Sequence, residues 1–154
     1  MPLYTHEARR FMAGENGLVS LTAATATLDA DTHAGAVCVL NRAAGITVTL
    51  PAATGTGNLY TIVVGTTVTS NDYIVQVANA TDVINGAVAL STDIAGVTIS
   101  AGASDDTITM NGTTKGGISG SLLEIRDVAS GKFVVTGSLV SSGTEADPFS
   151  AAVS

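Results

Sequence analysis

The chain has 154 residues, room for one domain with an arm at either end, and only 12% of them are charged. Its net charge of −7 comes from having just six basic residues, so nothing can displace counterions from nucleic acid or hold an anionic membrane surface. Hydrophobic residues reach 45%, but mainly as Ala and Val, with 4% aromatics and no Trp; such a core is thin, and association with other copies or a larger body is the expected remedy.

Residues 1–17 read as an N-terminal arm. They hold Arg9 and Arg10 together with Tyr4, His6, Phe11 and Met12, a mixture of charge and large apolar groups suited to docking on a partner. The stretch lacks the apolar run of a signal peptide, no segment reaches transmembrane length, and the pattern admits one or two helical turns over Thr5 to Ala13. From residue 18 to 140 the period is two. Leu18 to Leu28 and Ala36 to Leu40 are weaker strand candidates. Stronger ones follow at Ile46, Val48 and Leu50; at Tyr60, Ile62 and Val64; and at Tyr73, Val75 and Val77. Val97 with Ile99, Ile108 with Met110, Leu123 with Ile125 and Phe133 with Val135 complete about nine strands. Turn residues separate them at Ala43-Ala44-Gly45, Thr54 to Asn58, Ser70-Asn71-Asp72, Asn85-Gly86, Asn111-Gly112, Gly116-Gly117 and Ser130-Gly131. Residues 141–154 show no strand pattern and read as an irregular tail with Phe149 as its one anchor. The expectation is all-β: a single antiparallel sandwich or barrel-like domain between the arm and the tail.

Little in this pattern suggests chemistry. Only His6 and His33 could act as histidine bases, and two histidines with one isolated cysteine show no zinc spacing. Cys38 cannot form an internal disulfide and lies in an apolar strand, where an inert buried thiol is expected. Asp29 with Asp31, and Asp105 with Asp106, are paired carboxylates, but no calcium loop follows either pair, so solvated turn aspartates are expected. Gly55-Thr56-Gly57 and Gly116 to Gly120 lack the Lys and helix of a phosphate cradle. Tyr60 and Tyr73 fall in phase with aliphatic neighbours and read as core rather than as a sugar platform. No catalytic residue, metal or cofactor is expected.

Three stretches carry a resemblance. They are Leu50-Pro51-Ala52-Ala53-Thr54-Gly55-Thr56-Gly57 continuing through Tyr60 to Tyr73, Asp106-Thr107-Ile108-Thr109-Met110-Asn111-Gly112 to Gly117, and Glu124 to Val135 with its Gly131-Lys132-Phe133 turn. Across residues 45–137 the chain resembles virion structural proteins of tailed bacteriophages, of the head decoration and head-fibre type, with Phe133 where those often have Trp. The resemblance implies a non-enzymatic protein, made in the host cytoplasm, that binds the major capsid protein on the outer surface of the head and stabilises it as a homotrimer. Tyr4, His6, Arg9, Arg10, Phe11 and Met12 would then form the capsid-docking arm. A fibre, appendage or receptor-binding component is the alternative.

Overall fold

The computed structural model describes residues 17–154; the expected arm residues Tyr4, His6, Arg9, Arg10, Phe11 and Met12, and the helical turns expected over Thr5 to Ala13, lie outside the described residues. The described chain forms twelve strands and one four-residue helix. In order these are β1 (Leu18–Leu21), β2 (Thr25–Thr27), α1 (Ala30–His33), β3 (Val37–Leu40), β4 (Ile46–Thr49), β5 (Leu59–Val64) and β6 (Tyr73–Gln76). There follow β7 (Val83–Ser91), β8 (Gly96–Ser100), β9 (Thr107–Met110), β10 (Leu122–Ala129), β11 (Lys132–Val140) and β12 (Phe149–Ser150). The all-β expectation holds.

Period two decides which side chains go inside, because successive Cβ atoms of a strand point to opposite faces. Ile46, Val48 and Leu50, Tyr60, Ile62 and Val64, and Tyr73, Val75 and Val77 are all buried, as are Ile108, Met110, Leu123, Ile125, Phe133 and Val135. Together they form one hydrophobic cluster fed by two sheets. The seven-stranded sheet has the order β1-β3-β5-β10-β11-β7-β8, and the five-stranded sheet the order β12-β9-β6-β4-β2.

The connectivity departs from the antiparallel expectation. Through β6 the chain alternates between sheets, odd strands in one and even strands in the other, and each strand pairs in parallel with its predecessor in that sheet. These are three stacked rungs of a coil. A fourth layer then runs in reverse, β9 antiparallel on β6 and β10 antiparallel on β5, and a fifth returns with β11 on β10 and β12 on β9. β7 lies parallel to β11, with β8 folded back on its far edge, so the seven-stranded sheet extends beyond its partner. Both sheets are therefore mixed.

Two local expectations change as well. Asn85-Gly86 is not a hairpin turn but lies inside β7, where Gly86 adopts φ +117° and abuts the Val135 carbonyl, a place no Cβ fits. Residues 141–154 are not wholly irregular: β12 adds to the edge of the five-stranded sheet and Phe149 is buried.

Candidate docking surface

Among the described residues, the groups that the sequence singled out lie apart from one another. Asp29 caps α1 by accepting from the Thr32 amide at 2.7 Å, and that bond is the main influence holding its pKa below the ordinary value. The Asp29 amide in turn donates to His33 Nδ1 at 3.0 Å, so this nitrogen serves as an acceptor within its own cap. Cys38 is fully buried on β3, and burial pushes its thiol pKa up to about 11, so it is protonated at neutral pH. Tyr60 and Tyr73 are core residues, and the Tyr73 hydroxyl donates to the Thr66 carbonyl at 2.7 Å. Among the described residues no group of three or more His, Cys, Asp or Glu is placed to hold a metal ion, and no helix is long and apolar enough to cross a membrane.

Three buried carboxylates do structural work that the sequence did not advertise. Asp127, near the end of β10, accepts from the amides of Thr54, Gly55 and Thr56 and from the Thr56 hydroxyl, at 2.7–3.2 Å. The loop Thr54 to Gly57 is thus an anion-binding nest after all, filled by the protein's own carboxylate. Asp82 accepts from the Ala53 amide at 2.8 Å and the Asn79 side chain at 2.9 Å. Asp106 accepts from the Thr107 hydroxyl and from the amides of Ala152 and Val153, fastening the C-terminal segment beside β9. It was expected as a solvated turn aspartate; closure of the tail over it makes it a buried clamp instead. Burial raises the pKa of both Asp106 and Asp127, but the hydrogen bonds to the charged form outweigh it, leaving both below the ordinary value. Glu145 Oε1 is the one buried side-chain oxygen without a partner among the described residues.

What remains is surface, and the two outer sheet faces differ in kind. On the five-stranded sheet the register aligns Thr25, Thr47, Ile74 and Thr109 in one row and Thr27, Thr49, Gln76 and Thr107 in the next. Thr25 and Thr27 are exposed there, Thr47, Thr49, Ile74, Gln76 and Thr109 are half-buried, and Thr107 is buried with its hydroxyl on Asp106. On the seven-stranded sheet one row runs Leu18, Val37, Thr61, Glu124 and Thr136, and a second runs Leu59, Arg126 and Val134. A third row runs Ser20, Val39, Val63, Leu122 and Ser138, with the serines exposed at its ends. Leu18, Val37, Val128 and Val134 are exposed large hydrophobics, Leu18 at 69%. Leu59, Glu124, Arg126, Val128, Val134 and Thr136 line a shallow hollow of about 260 Å³ at the middle of this face. Beyond it, the β7–β8 hairpin holds Ile94 at its tip, 99% exposed. Exposed aliphatic groups gathered on one face, here around Thr61, Glu124, Arg126 and Thr136, make it the candidate interaction surface.

Compared with protein-family models, curated proteins and solved structures, the chain matches none of them. The sequence reading missed this face because Leu18, Val37, Leu59 and Val134 look like further core residues until the strand register shows which side they take.

Proposed function

We propose that this protein is a non-enzymatic decoration protein of a tailed-phage capsid, binding the major capsid protein from outside the shell as a homo-oligomer. The observation that carries the reading is the contrast between its two outer faces: one rich in Thr, the other carrying Leu18, Val37, Val128 and Val134 exposed among the described residues. A body with one Thr-rich face and one face carrying exposed Leu and Val suits a component that packs against other proteins. The resemblance of residues 45–137 to head decoration proteins supports the same reading. Arm residues Tyr4, His6, Arg9, Arg10, Phe11 and Met12 contact the shell in this account, and binding only the assembled shell stabilises it by mass action over many sites.

Quantitative mass spectrometry of purified particles tests it. A copy number that scales with the number of capsid subunits supports decoration. A copy number fixed at a few per tail transfers the protein to a fibre or appendage, and absence from particles overturns the reading. Deleting residues 2–14 is expected to weaken attachment to shells at least tenfold, about 1.4 kcal/mol per site, while the β spectrum is retained.

A further inference from the structure

We propose that the outer face of the seven-stranded sheet is a self-association surface, on which a second copy of this chain packs face to face about a two-fold axis. The axis replaces the three-fold arrangement expected from the resemblance, and the argument does not depend on shell attachment.

The charge pattern selects the partner. Glu124 and Arg126 both lie exposed on β10, the central strand of the seven, two residues apart on the same face. Neither has an ion-pair partner among the described residues; Arg126 spends one donor on the Gly57 carbonyl at 2.9 Å and keeps the others. They are the only charged residues lining the hollow, and its remaining wall is Leu59, Val128, Val134 and Thr136. A two-fold axis crossing β10 between Glu124 and Arg126 places the carboxylate of each copy over the guanidinium of the other. The same operation sets Leu59 over Thr61 and Val134 over Thr136 of the second copy, so side chain meets methyl on both flanks. Such a patch is complementary to itself, which is what a two-fold interface requires.

The area is sufficient. Seven strands at about 4.8 Å spacing span about 29 Å, and strands of four to nine residues give a projected face on the order of 600 Å². Side-chain relief raises the accessible area toward the about 800 Å² per partner that a stable interface buries. A strongly charged macromolecular partner fits less well, since the face offers Glu124 against Arg126 and Lys132 amid aliphatic and hydroxyl groups. The other occupant to consider is residues 1–16, which join the sheet at Gly17 beside β1.

Analytical ultracentrifugation of the full chain over a dilution series tests the proposal. The intact protein is expected at twice the chain mass, and E124R or R126E should each weaken association at least about tenfold by opposing like charges. The double variant E124R/R126E should restore it, and mixing the two single variants should restore it too, because the mixed pair is complementary. Circular dichroism and melting separate a lost interface from a lost fold, and the mixing experiment needs only that each variant be folded. A monomer or a trimer for the intact chain overturns the proposal, as does failure of both restorations. Loss of association on deleting residues 2–14 overturns it in favour of association through those residues, and a monomer that associates only after the deletion overturns it in favour of those residues as occupant of this face.

Discussion

The outer faces of the two sheets are built from the same alternation and reach opposite ends. On β2 and β4 the outward residues are Thr25, Thr27, Thr47 and Thr49, exposed on β2 and half-buried on β4. On β1, β3, β5 and β11 they include Leu18, Val37, Leu59 and Val134, in a protein with few large apolar residues to spare. A chain whose core is short of aromatics, yet leaves Leu and Val outside on one sheet only, fits the proposal that this surface meets a partner. Exposure alone does not teach this; the difference between two faces of one molecule does.

The strongest way to break the comparison lies on β11, where Phe133 and Val134 are consecutive and face opposite ways. Phe133→Ala should cost about 3–5 kcal/mol, as the removal of a fully buried ring does. Val134→Ala should stay within about 0.5–1 kcal/mol in the dilute chain, measured by denaturant unfolding. Comparable losses at both positions would mean that the outer face is already covered within the single chain.

The carboxylate clamps come next. Asp127→Asn removes the charge from a set of four hydrogen bonds and should cost about 1–3 kcal/mol. Asp106 and Asp127 have folded pKa values below the ordinary carboxylate value, so their contribution is fully present above that value and lost as pH falls through the depressed one. Stability should therefore be flat from neutrality down to about pH 5 and fall below about pH 4, with a shallower fall in Asp127→Asn. A loss of stability that begins near pH 6–7 would contradict this assignment.

Cys38→Ser should cost about 1–3 kcal/mol if its hydroxyl finds no partner, and the native thiol should resist a soluble reagent until unfolding. Rapid labelling of the native protein would show β3 to be wrongly placed. The smallest effect is expected on the hydroxylated face, where Thr47→Ser should change stability by no more than about 0.5 kcal/mol and leave association unaltered.

Much of the interior was legible in the sequence because period two acts locally. Ile46 to Leu50, Tyr60 to Val64 and Tyr73 to Val77 each declare a buried face without reference to any other segment. The order of strands was not legible. The rungs are unequal in length, Leu18 pairing with Val37 but Val37 with Thr61, so no fixed repeat betrays the coil. Asn85-Gly86 has the chemistry of a hairpin turn, and only the close approach of the Val135 carbonyl explains a glycine there inside a strand. Asp127 carries no local signal, since its partners lie some seventy positions earlier at Thr54 to Thr56. The candidate docking face needed the register for the same reason: Val37 and Val134 become neighbours of Thr61 and Arg126 only once the sheet is assembled.

The most direct test compares the two faces in one protein. Thr47→Cys and Val134→Cys each place a single reactive thiol, on the hydroxylated and the apolar face respectively, because native Cys38 is buried. Labelling rates are followed over a concentration series. The thiol introduced at position 47 should react at one rate throughout, while the one at position 134 should become protected as the protein associates. Equal rates at every concentration, in protein shown by sedimentation to be associated, would contradict the claim that the seven-stranded sheet presents its outer face to a partner.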